Sequence, residues 1–139
     1  LEQGMQKINQ FLEKLGVPKK DFNLVNPSGF SRENKFTPKA MWSVLDYMKK
    51  NFQTYPEILS SLPLAGVDGT LKRRMKNSPG ERWVRGKTGY LSGVVTMAGY
   101  AGRPDGTVFI YVFMYNGGAS MEEVQHLYDK LASHIVKPN

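Results

Sequence analysis

Apolar residues change their period twice along this chain. Up to about residue 76 they recur at steps of three and four, from residue 83 to 115 they run together, and from residue 121 the helical steps return. Met5, Ile8, Phe11, Leu12 and Leu15 predict an amphipathic helix, stopped by Gly16. Val17-Pro18 leaves that helix, and Phe22 to Val25 is expected to be briefly extended. Asn26-Pro27-Ser28-Gly29 is a turn, because proline presets one dihedral and glycine tolerates positive φ. Thr37-Pro38 opens a second helix with a capping hydroxyl and a first-turn proline, and Met41, Val44, Leu45, Met48 and Phe52 mark its buried stripe. A short helix is expected around Pro56 to Ser61. A loop follows from Leu62 to Gly69, and then a brief helix through Met75, capped by Thr70.

After the Asn77-Ser78-Pro79-Gly80 loop come three predicted strands, Trp83 to Thr88, Gly93 to Ala101 and Thr107 to Asn116. The tight connection Gly102 to Gly106 makes the last two antiparallel neighbours. Val108 to Tyr115 carries no polar residue, so that strand is expected to be covered on both faces by helices. Ser120 and Glu123 form a capping box, and Met121, Val124, Leu127, Tyr128, Leu131 and Ile135 predict one buried face of a terminal helix. The whole is an α+β arrangement: a three-strand meander backed by a C-terminal helix and preceded by helices.

Composition narrows the chemistry. Of the 139 residues none is cysteine and two are histidine, which excludes disulfides, cysteine-based zinc sites and thiol nucleophiles. His126 and His134 lie eight residues apart, too far for an i,i+4 metal pair, and are read as surface or boundary residues; no metal or organic cofactor is expected. The net charge of +7 raises a nucleic-acid reading, but the lysines and arginines are scattered and the aromatics fall in apolar runs away from the basic pairs. A basic surface without nucleic-acid binding is the expectation. No apolar run approaches the ~20 residues that span a bilayer.

Lys87-Thr88-Gly89 is the first candidate for chemistry. The triplet lies at the end of a predicted strand and leads through Tyr90-Leu91-Ser92-Gly93 into the next one. Serine β-lactamases and penicillin-binding proteins place Lys-Thr-Gly on such a strand, with a further strand and a C-terminal helix behind it. Ser28-Gly29-Phe30-Ser31-Arg32-Glu33-Asn34 with Thr37-Pro38, then Leu62 to Leu71 with Arg74, and Gly93 with Ala98-Gly99-Tyr100 extend the match in order. From Ser28 to Asn116 the chain resembles the low-molecular-mass class C penicillin-binding proteins, which are D-Ala-D-Ala carboxypeptidase/endopeptidases.

The resemblance implies a penicillin-recognising, β-lactamase-like transpeptidase fold. It also implies roles for single residues. Lys87 would place positive charge beside a substrate carboxylate and the nucleophile pocket, Thr88 would hydrogen-bond that carboxylate, and Gly89 would let the substrate approach the strand. The backbone N–H of Tyr90 would be one of two oxyanion donors, although many relatives carry a small hydroxyl residue there. Asp68 and the Ser28 to Asn34 segment are read as local structural support.

The family also needs Ser-x-x-Lys and Ser-x-Asn (or Tyr-x-Asn), and none of these occurs here. In the family both precede the Ser-Gly-Leu-Ser segment. Residues 1–139 are therefore expected to be the C-terminal portion of a transpeptidase-like domain, inactive alone and completed by the N-terminal portion of the same protein. The complete protein would cleave peptidoglycan stem peptides through a serine acyl-enzyme in the periplasm or cell envelope, and β-lactam antibiotics would acylate it. The rival expectation is a non-catalytic peptidoglycan-binding or scaffold module of the same fold.

Overall fold

The computed structural model describes residues 2–137. Helix α1 spans Glu2–Lys14 and ends in a Schellman turn: Gly16, at φ +73°, donates to the Glu13 carbonyl and Val17 to that of Leu12. Its inner face meets Val17, Phe22 and Ala40 in a small core. Strands β1 (Phe22–Asn23) and β2 (Lys35–Phe36) form a two-stranded ribbon. Helix α2 (Pro38–Lys50) starts at Thr37, whose hydroxyl accepts the Ala40 N–H, and α3 (Tyr55–Ser61) follows. Because α2 stops before Asn51, its period does not carry to Phe52, which is 90% exposed and leaves the expected stripe.

The main sheet has the order β3-β4-β5, antiparallel throughout: Val84–Leu91, Val94–Gly102 and Val108–Asn116. Helix α4 (Met121–Val136) covers one face, and α2 covers the other near β5. The predicted cover of the third strand is present. The predicted face of α4 is corrected, however. Val124, Tyr128, Ala132 and Val136 are buried, while Met121, Leu127 and Leu131 are exposed. Small residues decide this. Ser133 lets α4 lie close to Gly80, and its Oγ meets Ser78 Oγ at 3.0 Å, so the row of fours faces the sheet. No helix among the described residues is long and apolar enough to cross a membrane.

Three phenols fasten the layers. Tyr100 donates to the Leu45 carbonyl of α2, Tyr128 of α4 donates to Val95, and Tyr111 of β5 reaches across β4 to Arg85. Tyr111 can cross because Gly86 and Gly99 face each other in the register. A Cβ on Gly86 would strike the Tyr111 hydroxyl, and one on Gly99 would strike the Arg85 carbonyl. Arg74 ties the loop before β3 to α4 through a half-buried ion pair with Asp129, at 2.7 Å from Nη2 and 3.0 Å from Nε, and also donates to Gln125 O.

Burial raises Tyr111 and Tyr128 above the ordinary phenol value of 10.0, and burial followed by Tyr55 and Asp46 raises Tyr100 to about 12. The folded chain thus holds these protons more tightly than the unfolded one. Their contribution is complete below pH 10 and declines as pH rises from 10 through about 12. Denaturant midpoints should be flat from pH 8 to 10 and fall above it, with the fall reduced in Tyr100→Phe. Asp129→Ala should cost about 3 kcal/mol, because it strands the Arg74 guanidinium, and Asp129→Asn should cost less. Urea unfolding measures both.

Candidate active site

The outer edge of β3 is covered for half its length. Ala65 donates to Val84 O, Gly86 donates to Pro63 O, and Leu64 bridges Arg85. Val84 and Gly86 therefore direct their backbone groups away from β4. A strand alternates, so Thr88 and Tyr90 direct theirs the same way. The covering loop turns off at Pro63, before either is reached. The edge from Thr88 to Tyr90 is left open to an extended ligand.

The same alternation places side chains. Lys87 and Gly89 pair with Ala98 and Thr96, on the face shared with α2. The Lys87 ammonium bends over the edge and donates to the Thr88 carbonyl at 2.6 Å. Gly89 opens onto Thr96, whose hydroxyl would lie 2.5 Å from an added Cβ. Thr88 points to the other side, where its hydroxyl donates to Thr70 Oγ1 at 2.9 Å. The Tyr90 side chain is exposed.

Two hollows flank this strand on the α2 side. One, of about 250 Å3, is almost wholly apolar and lies between Lys87, Thr96, Ala98 and the α2 residues Met41 and Leu45. The other, of about 500 Å3, begins at Thr96 and Met114 and runs to Ser31, Arg32 and Asn116. Arg32 donates to the Ser92 carbonyl at 2.8 Å, which brings a second cation to the hairpin after Gly89.

The structure brings Lys87, Thr88, Gly89 and the Tyr90 backbone together on one open edge. It also changes the picture of their surroundings. The triplet sits inside β3, not at its end: Tyr90 and Leu91 stay paired with Val95 and Val94, and the turn comes at Ser92-Gly93. Thr70 lies within a 3-10 turn at Gly69–Leu71 and caps no helix, and the helix expected through Met75 is replaced by that turn, with Met75 itself at φ +57°. The hydroxyl of Thr70 faces Thr88 instead. Sequence spacing could not reveal this contact, because it joins residues 18 apart through the loop that covers β3.

Asp68 acts locally, accepting the Leu64 N–H at 2.6 Å and so shaping that covering loop. Asn34 accepts from Val25 and Asn26 and donates to Asn26 O, while Asn26 accepts from Ser28. The turn reading of this segment agrees with the geometry, and Arg32 is what it missed.

Residues 1–135 match the D-Ala-D-Ala carboxypeptidase 3 (S13) family. D-alanyl-D-alanine carboxypeptidase DacB of Haemophilus influenzae is 35% identical over 116 residues, 82% of this chain and 24% of that protein. Penicillin-sensitive carboxypeptidase A of Dictyostelium discoideum is 28% identical over 142 residues, 96% of this chain and 26% of that protein. The crystal structure of penicillin binding protein 4 (dacB) from H. influenzae matches with a TM-score of 0.86 at 29% identity, over 99% of this chain and 32% of its own. The same protein complexed with a novel β-lactam matches with a TM-score of 0.81 at 30% identity, over 93% of this chain and 32% of its own. A β-lactamase from Sphaerobacter thermophilus shares the fold, with a TM-score of 0.64 at 24% identity over 95% of this chain and 54% of its own. The chain spans about a quarter of the length of these curated relatives.

The open edge has a direct readout in amide exchange. The N–H groups of Thr88 and Tyr90 should exchange about a hundredfold faster than those of Gly86, Lys87 and Gly89, which are paired to the covering loop or to β4. Equal protection along 86–90 in NMR exchange would show the alternation to be misassigned.

Proposed function

The chain belongs to the D-Ala-D-Ala carboxypeptidase 3 (S13) family, and from that premise we propose that it forms the substrate-strand wall of a serine D-Ala-D-Ala peptidase. The observation that carries this reading is the open Thr88-to-Tyr90 edge beneath the Lys87 ammonium. A peptide ending in D-Ala-D-Ala is an extended backbone with a terminal carboxylate, and such an edge takes it by main-chain pairing. The ammonium of Lys87 meets the carboxylate. The hydroxyl of Thr88 is already shared with Thr70, so the pair presents one further O–H to the same anion. The outward N–H of Tyr90 is an oxyanion donor for the attacked carbonyl, and its fixed strand geometry requires no reorganisation during the reaction.

Ser-x-x-Lys and Ser-x-Asn come, in this proposal, from the N-terminal portion of the same protein. Two features support its docking here. The apolar hollow beside Lys87 has room for a few apolar side chains of an adjoining helix that bears the nucleophile. The far edge of β5, apolar from Val108 to Tyr115, has no strand beside it among the described residues, and Leu127 and Leu131 are exposed on the neighbouring helix. Long apolar edges of this kind are normally paired or covered. The complete protein then hydrolyses peptidoglycan stem peptides in the periplasm or cell envelope, and penicillins, which imitate D-Ala-D-Ala, acylate its serine.

Labelling the complete protein with a fluorescent penicillin tests the reading. Label is expected on the serine-bearing portion, and Lys87→Ala should slow its appearance by about a hundredfold or more at unchanged thermal stability. Absence of label from a preparation that includes the upstream sequence would sink the proposal in favour of a non-catalytic peptidoglycan-binding module.

A further inference from the structure

Charge that is scattered along the sequence converges on the face of the sheet covered by α4, away from the open hollows beside Lys87. A groove of about 540 Å3 runs between α4 and the segment from Arg73 to Pro79. On its helical wall stand His126, Lys130 and His134, with Lys137 at the C-cap, at steps of four, four and three, one row about 16 Å long at 1.5 Å per residue. On the opposite wall stand Arg73 and Lys76. All six are exposed.

Among the described residues only one carboxylate, Asp129, lines the groove, and Arg74 holds it on two nitrogens. Arg73, Lys76, Lys130 and Lys137 form no ion pair among the described residues. Four unopposed cations, more than half of the net +7, therefore share one concave surface.

We propose that this groove binds a linear polymer carrying closely repeated phosphate groups. The row is several times longer than a single anion, so it favours a ligand with repeated charge. A tetrahedral phosphate turns oxygens to both sides, so cations on facing walls can reach one group together; a planar carboxylate presents its two oxygens to one side. The groove is concave, which suits a strand better than a flat lipid surface. No Phe, Tyr or Trp among the described residues lines it, so the large aromatic platforms on which single-stranded nucleic acid stacks its bases are missing. The groove shares no lining residue with the hollows beside Lys87, and the proposal does not depend on the peptidase reading.

Binding of inorganic polyphosphate of about 20 units to the intact protein, followed by fluorescence anisotropy at several salt concentrations, tests the proposal. The affinity should fall with a log–log salt slope of about −3, as expected when about four phosphates are neutralised. Lys130→Gln with Lys137→Gln should weaken binding at least tenfold, as should Arg73→Gln with Lys76→Gln. The remote pair Lys7→Gln with Lys20→Gln removes the same charge and should leave the affinity within twofold. All six positions are exposed, and melting curves verify that each variant is folded. Lack of binding, or equal losses in the remote and groove variants, overturns the proposal. So does polyglutamate of equal charge, a single-stranded oligonucleotide or an acidic phospholipid vesicle that binds the groove as tightly as polyphosphate.

Discussion

The site depends on the alternation of one strand. In β3 each backbone group points either toward β4 or away from it, and the parity is set at Gly86, whose N–H is taken by Pro63. Once that bond is made, Thr88 and Tyr90 must face outward, while Lys87 and Gly89 must share the face of Ala98 and Thr96. A slip of one residue would exchange every role in the triplet, turning the lysine from the hollow beside α2 toward Thr70. The covering loop matters as much for where it stops as for what it covers. Held by Asp68, it occupies the edge only as far as Gly86.

That register is protected by contacts on the opposite face of the sheet. Tyr111 crosses the glycine pair to bond the Arg85 carbonyl, two residues before the lysine, and Arg74 anchors the segment just beyond Thr70 to α4. Neither residue touches the candidate site. Both fix the relative placement of the loop and the strand whose hydroxyls meet at Thr70 and Thr88. The triplet on its open edge thus rests on packed, hydrogen-bonded supports, an arrangement in which a site can be open without being loose.

Much of this was legible in the sequence where the signal is local or strongly periodic. The α1 stripe with its Gly16 stop, the threonine-proline start of α2, the Ser120–Glu123 capping box and the meander all follow from short-range rules. Errors arose where packing partners decide. The leucines at 127 and 131 fit a helical stripe, yet with Ser133 packed against Ser78 the row Val124, Tyr128, Ala132 and Val136 faces the sheet. Phe52 continued a pattern whose helix had already ended. In the site, Lys87 to Tyr90 could be named from their motif. Thr70 and Arg32 could not, because their contacts span 18 and 60 residues. The basic groove was hidden for the same reason, since its two walls lie some 50 residues apart.

The resting position of Lys87 carries a consequence for selectivity. Its ammonium is already engaged, lying on the carbonyl of the next residue at 2.6 Å. A chain that pairs with this edge, as proposed, competes with that contact from the start. In the proposed peptidase a ligand with a terminal carboxylate would draw the ammonium to itself and so free the Thr88 carbonyl for its own backbone. One without it would meet the lysine still in place, with a single lone pair of that carbonyl left to accept. A single rotating side chain would in this way act as a turnstile that favours chain ends over chain middles.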